Sequence, residues 1–159
     1  MNLIRRRAPA VVFATTLAAR LATAPRFATE WDSAQLALGV RHFDVRQDSP
    51  NAPGYWLFVM AGRVVRALSP FGAHASLVIV VASASAATAT LLFLIGRRLG
   101  RDWLGWGAAL LWLTSPFAWF YGSIVNVKVF DSLAIAAVLL CALRARRGGS
   151  QHIVAAVAV

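Results

Sequence analysis

The stretch from Glu30 to Tyr55, EWDSAQLALGVRHFDVRQDSPNAPGY, decides how the rest of the chain reads. It is the one long polar segment between apolar ones. It carries four of the six acidic residues, Glu30, Asp32, Asp44 and Asp48, and it closes on a Pro/Gly turn that runs directly into aromatics. Polar sequence framed in this way reads as a site-bearing loop, held at a bilayer surface by the apolar segments on either side.

The frame is apolar enough for that role. Of 159 residues, 59% are hydrophobic and only 14% charged, an apolar excess over soluble domains that points to a membrane. The net charge of +10 raises nucleic-acid binding. However, the arginines stand in short clusters flanking apolar runs, where membrane topology places them. This excludes nucleic acid as the partner. Lys128 is the single lysine. Cys141, the single cysteine, lies inside an apolar run, so no disulfide framework or thiolate metal site can form within the chain.

On the amino-terminal side of the loop, Arg5, Arg6 and Arg7 precede an apolar run from Ala8 to Ala24 that Arg20 interrupts. A signal peptide has this shape. So does an uncleaved first span whose Arg20 reaches back to the interface. Pro25, directly after Ala22–Ala24, disfavours cleavage, and the uncleaved span is the preferred reading. Within the loop, Thr29 followed by Asp32 fits a helix-opening pattern. Asp32, Gln35, Gly39 and His42 then form a polar or small stripe, with Leu36, Val40 and Phe43 on another face. That predicts a short amphipathic helix lying along the membrane surface. Pro50, Pro53 and Gly54 break the chain. Tyr55 to Leu68 carries Arg63 and Arg66 and falls short of the roughly 20 residues a crossing needs, which predicts a second interfacial helix.

On the carboxyl side, Ala75 to Ile95 is uncharged and long enough to cross. A span over 103–121 follows, with Trp103 and Trp106 at one end and Trp119 and Tyr121 at the other. A turn at Gly122 to Asn126 leads to a span over 127–143, and a fifth begins near Ile153. The fold class expected is therefore all-α: a polytopic helical membrane protein with spans at about 8–24, 75–95, 103–121, 127–143 and from 153 onward. Its first outer loop, about 25–74, carries the interfacial helices. The arginine clusters at 5–7, 97–101 and 144–147 then share one side, cytoplasmic by the positive-inside rule. The loop acids, Lys128 and Asp131 share the other. The closing IVAAVAV is shorter than a span and reads as a cut-off segment of a longer protein.

An acid within a span is costly and points to function. Asp131 is such a residue, and its plainer explanation is a pair with Lys128 three residues earlier. Asp32 caps its helix, supplies chemistry, or both. Glu30 reads as solvated. Asp44 and Asp48 serve either a site or the solubility of the loop, and His42 is a ligand, a base or neither. His74 and His152 fall at segment edges. No spacing meets a strong metal rule, and no phosphate-binding Gly loop, GxSxG or HExxH occurs.

Taken in order, WDSAQLALGVRHFDV, SPNAPGY, the apolar segment ending GRRLG, SPFAWFYG and FDSL resemble the start of the polytopic glycosyltransferases of the C-type fold. The nearest likeness is to the family 39 group of protein mannosyltransferases and to the aminoarabinose transferases of lipid A. The resemblance covers nearly all of this chain, but only the amino-terminal part of such an enzyme. It implies a membrane glycosyltransferase that moves a sugar from a polyprenyl-phosphate donor to a protein, lipid or glycan acceptor on the non-cytoplasmic face. The Arg/Ala-rich composition suits a bacterial inner membrane. By motif, Asp32 matches the family's loop acid, a base or metal-site carboxylate, and Asp131 an acid after the third span; these are the expected catalytic residues. Asn51 stands where His or Lys usually precedes the prolines, and Ala52 replaces the first of them, while Pro53, Gly54 and Tyr55 keep the turn. The expected substrate-binding residues are Arg41, His42, Asp44, Asn51, Tyr55 and Lys128, with Arg41, Arg46 or Lys128 able to supply the charge that Asn51 lacks. A divalent metal ion is compatible with this chemistry as cofactor, without a ligand set in the sequence. The alternative readings are a non-catalytic transport or scaffold protein and an inactive truncated fragment.

Overall fold

Helix α4, Ala73–Arg98, is apolar nearly all round, and fourteen of its 26 residues are buried. A helix of that kind belongs at the centre of a bundle, and the other six helices are arranged about it. The computed structural model describes residues 2–47 and 49–148; Asp48, His152 and the expected fifth span from Ile153 lie outside the described residues. In chain order the elements are α1 (Asn2–Thr23), α2 (Trp31–Arg41), a 3-10 turn at Val45–Gln47, α3 (Trp56–Leu68), α4, α5 (Asp102–Thr114), α6 (Pro116–Ser123) and α7 (Val129–Gly148). The described chain is all-helical. Among the described residues, one helix, α4, is long and apolar enough to cross a membrane.

The packing divides the bundle into two ends. Ala8 and Val12 of α1 pack with Ala89 and Phe93 of α4 and Ala109 of α5. Ile95 of α4 packs with Ala136 and Leu140 of α7. The start of α1, the α4–α5 turn and the later part of α7 therefore gather at one end. At the other end, Leu36 and Val40 of α2 join Phe58 and Val59 of α3, Leu77 and Val81 of α4, Val125, and Val129 of α7. His74 at the start of α4 holds the carbonyl of Pro25, 3.1 Å away. The helix read as the first span thus packs along α4 as part of the bundle.

Small residues set the α4–α5 spacing. A Cβ added at Gly96 would collide with the backbone of Gly105, and one added at Gly105 would meet the Phe93 carbonyl. The turn between these helices is tied by Arg97 and Asp102, 3.5 Å apart.

The sequence predicts one continuous helix over 103–121, but the chain breaks at Ser115. Pro116 opens α6 in the first helical turn, where its missing N–H is harmless to α6. It leaves the Trp112 carbonyl without its i+4 donor. Arg20 makes good the loss. Its Nη2 donates to Trp112 O at 3.0 Å, its Nη1 to Leu113 O at 3.2 Å and its Nε to Ser85 Oγ at 3.2 Å. Its guanidinium lies 4.7 Å from the centre of the Trp119 ring. The expectation that Arg20 reaches out to the interface is therefore corrected: its exposure is 0%. The stranded carbonyls draw it inward, and the break supplies acceptors that an intact helix would not.

Other expectations also change. Helix α2 is flanked by Glu30, with no side-chain cap from the Thr29–Asp32 pattern. Gly39 belongs to the buried face of α2 with Ser33, Leu36 and Val40, because Pro50 packs against it. Helix α1 begins at Asn2, within the basic cluster's own segment. Arg63 points inward, donating to the carbonyls of Gly39 and Val40 at 3.1 Å each and so closing the end of α2.

Arg20→Met keeps the aliphatic stem but strands both carbonyls. It should destabilise the fold by roughly 2–6 kcal/mol, about 1–3 for each buried acceptor left unpaired. Denaturant unfolding followed by circular dichroism measures this, and an unchanged midpoint would refute the clamp.

Candidate functional site

The end opposite the arginine-flanked turn holds a cavity of about 390 Å³, within the size range of ligand sites. Three segments wall it. The entry to α2 supplies Glu30, Trp31 and Asp32; the turn before α3 supplies Asn51 and Tyr55; the end of α6 and the connection to α7 supply Tyr121, Asn126 and Lys128. The first and third walls are bolted together by Ser33, whose buried hydroxyl donates to the Val125 carbonyl at 2.9 Å.

Each polar group has a distinct setting. Lys128 is the cation of the cavity: its Nζ lies 3.4 Å from the Tyr121 hydroxyl and 4.9 Å from the centre of that ring. The Lys128 backbone N–H donates to Asn126 Oδ1 at 3.0 Å, which turns the Asn126 amide so that Nδ2 faces Glu30 Oε2 at 3.5 Å. Asp32 is exposed, in the first turn of α2, where the helix dipole favours a negative charge. The Lys128–Asp131 pair expected from their spacing is not formed; Lys128 turns to Tyr121 instead, whose ring and hydroxyl offer two contacts. Asp131, exposed on the first turn of α7, lines a neighbouring apolar cavity with Tyr55.

Of the residues singled out in the sequence, Asp32, Asn51, Tyr55 and Lys128 share the polar cavity, and Asp131 lies at its neighbour. Arg41, His42 and Asp44 line neither cavity. Arg41 and His42 are exposed where α2 ends. Asp44 builds its own loop: its Oδ1 accepts the Arg46 N–H at 3.0 Å, and its backbone pairs with Ser49. Glu30, read as solvated, belongs to the cavity instead. Trp31, Tyr121 and Asn126 join it, without a periodicity in the sequence that marks them. Among the described residues no group of three His, Cys, Asp or Glu side chains could hold a metal ion; Glu30 and Asp32 are the carboxylates of the cavity.

Tyr55 has φ 42 and ψ 50, in the left-handed region, at the entry to α3. For a bulky side chain this conformation is uncommon and costs about 1–3 kcal/mol. Gly54 before it also has positive φ, 85, and Gly54 N–H bonds to the Asn51 carbonyl at 2.9 Å. The tight turn delivers the Tyr55 ring to the seam between the two cavities.

No family model, curated protein or solved structure matches this chain.

If the left-handed backbone at Tyr55 is imposed by the turn, the ordinary order of alanine and glycine reverses there. Tyr55→Gly should be more stable than Tyr55→Ala by about 1 kcal/mol. Paired unfolding curves measure this difference, and alanine being the more stable would remove the strain argument.

Proposed function

We propose that this bundle is embedded in a membrane and transfers a sugar from a polyprenyl-phosphate donor at the cavity end. The observation that carries the reading is the joining of a free carboxylate, Asp32, with the chain's one lysine in a single cavity at the end remote from the arginine clusters.

The membrane part draws support from lengths and surfaces. Helix α1 has 22 residues and α7 has 20, while α5 and α6 together run from Asp102 to Ser123. At 1.5 Å per residue α1 and α7 are each about 30 Å long including their arginine-bearing ends, close to the thickness of a hydrocarbon core, and α5 and α6 supply two shorter pieces joined at Ser115. The surface between the two ends exposes Val11, Leu110, Leu111, Ile135, Val138 and Leu139, apolar side chains of the kind a lipid phase covers. Trp103 and Trp106 are exposed near the arginine end, and Trp31, Tyr55 and Trp56 near the other, which suits interfacial belts. Helix α3, with only 13 residues, exposes Leu57, Val64 and Leu68 on one stripe, which suits a helix resting in the interface.

In the proposed chemistry the acceptor hydroxyl attacks the anomeric carbon from the face opposite the phosphate. The bond from that carbon to the phosphate oxygen breaks, and its electron pair leaves with the lipid phosphate. The acceptor proton passes to the Asp32 carboxylate, which has no hydrogen-bond partner among the described residues. Lys128 stabilises the charge growing on the phosphate. Glu30, held by Asn126, is placed to take sugar hydroxyls. A divalent cation, if bound, would meet Glu30 and Asp32 and would add charge stabilisation at the phosphate.

Two measurements test this. In lipid vesicles supplied with a polyprenyl-phosphate sugar, Asp32→Asn should lower transfer by about 100-fold or more while the fold stays intact; undiminished turnover would refute the base. In a Cys141→Ala background, a membrane-impermeant thiol reagent should label Arg26→Cys from outside intact cells and spare Leu99→Cys. Labelling of Leu99→Cys would overturn the orientation.

A further inference from the structure

The arginine end of the bundle, remote from Lys128, carries charge that the proposed chemistry does not use. Arg7 of α1 and Arg101, just before α5, are exposed, and neither guanidinium has a hydrogen-bond or ion-pair partner among the described residues. Arg144 is exposed where α7 reaches the same end. Across α1, α4 and α5, Asp102 is the one acid, and it lies 3.5 Å from Arg97. Leu99 and Trp103 stand exposed on either side of Arg101 in the turn. Cations interleaved with apolar side chains match the headgroup layer of a membrane. A groove of about 120 Å³ runs inward from this end between α1 and α5, and Val11, Thr15, Trp106, Leu110 and Leu113 are among its walls. Its floor is firm: Trp106 meets Phe93 edge to face, 4.9 Å between ring centres, and the Arg97 guanidinium lies 5.6 Å from the Phe93 ring.

We infer that this end binds an anionic phospholipid of the adjoining leaflet, with its phosphodiester at Arg7 and Arg101 and one acyl chain in the α1–α5 groove. The inference rests on the membrane part of the reading above and not on the sugar chemistry. Head and chain positions fit one molecule. Val11 follows Arg7 by four residues and Thr15 follows by four more, so the three share one face of α1. At 1.5 Å per residue, Val11 lies about 6 Å in from Arg7 and Thr15 about 12 Å. Both depths fall within one leaflet, about half of a 30 Å hydrocarbon core. The groove has less than a third of the volume of the polar cavity, which suits a single extended chain. Charge selects the head. Guanidinium groups hold the paired free oxygens of a phosphodiester, and the surplus of arginine repels the cation that a zwitterionic lipid carries beside its phosphate. An acidic protein would satisfy the arginines but would leave the groove below them unfilled.

The test uses the full chain in detergent micelles, titrated with dioleoyl phosphatidylglycerol or dioleoyl phosphatidylcholine, with retained lipid counted by native mass spectrometry. The wild type should hold one phosphatidylglycerol at least about tenfold more tightly than phosphatidylcholine. Arg7→Gln combined with Arg101→Gln, at two exposed and unpartnered side chains, should lower that preference by about tenfold. Leu110→Trp, at a side chain 59% exposed and outside the core, fills the groove and should weaken both lipids. Equal affinity for the two lipids in the wild type would overturn the anionic head, as would a preference that survives loss of both arginines. Undiminished binding by Leu110→Trp would overturn the chain's seat. Displacement of phosphatidylglycerol by soluble polyglutamate at equal affinity would assign the arginines to an acidic protein and remove the lipid. The readings separate cleanly. Extraction of the chain from cell membranes by alkaline carbonate would remove the membrane reading itself, whereas a chain that resists extraction and shows no lipid preference removes this inference alone. Arginine-dependent lipid binding without sugar transfer keeps this inference and removes the enzyme.

Discussion

The buried guanidinium of Arg20 is the interaction on which the cavity end of the bundle depends. Pro116 ends α5 early and frees two carbonyls inside the bundle, and Arg20 reaches from α1 to both while its Nε takes Ser85 on α4. Trp112 returns to the same serine, its Nε1 donating to Ser85 O at 3.0 Å and lying 3.2 Å from Ser85 Oγ. An isolated buried charge would be very costly, and what makes this one tolerable is that every nitrogen has an acceptor and Trp119 lies over its face. Gly122 completes the fit, since a Cβ there would meet Ser85 and Arg20. The short α6 is thereby fixed in rotation, and it is α6 that ends with Tyr121 against Lys128.

The remaining walls are held by equally local devices. Arg63 closes α2 from α3, and Pro50 packs on Gly39. Ser33 links α2 to the connection before α7 at Val125. None of these contacts lies within the cavity, so its rim can carry unpaired polar groups without weakening the frame. Stability is held in the layer behind the cavity, and exposed polar side chains occupy the layer in front.

Much of this was legible because apolar runs and breakers speak for themselves. The uncharged run at Ala75 predicts α4, and the proline turn predicts the entry to α3. The length of Tyr55 to Leu68 fits the 13-residue helix observed. Asp32, Asn51 and Tyr55 could be named from the motif they share with the family the chain resembles, and Lys128 as a cation at the mouth of an apolar run. What escaped were matters of partnership. An arginine in an apolar run reads as one that must escape to water, and only the distant break at Pro116 reverses that. The Thr29–Asp32 spacing matches a cap, yet the helix starts without its side-chain bond. Lys128 and Asp131 are spaced to pair, but Tyr121, seven residues back, wins the lysine. Arg41, His42 and Asp44 share a loop with Asp32, and α2 carries them to its far end. Sequence proximity does not reveal which end of a helix faces a cavity.

Because Lys128 is the only lysine in the chain, the cavity contains the protein's single side-chain primary amine. Arginine does all other cationic work, and guanidinium groups are inert to mild acylation and reductive alkylation. Amine-selective reagents therefore address one side chain besides the amino terminus. An isotopically labelled methyl group placed there would give one internal resonance, reporting directly on whatever enters beside Tyr121. The economy of lysine turns the site into its own spectroscopic address.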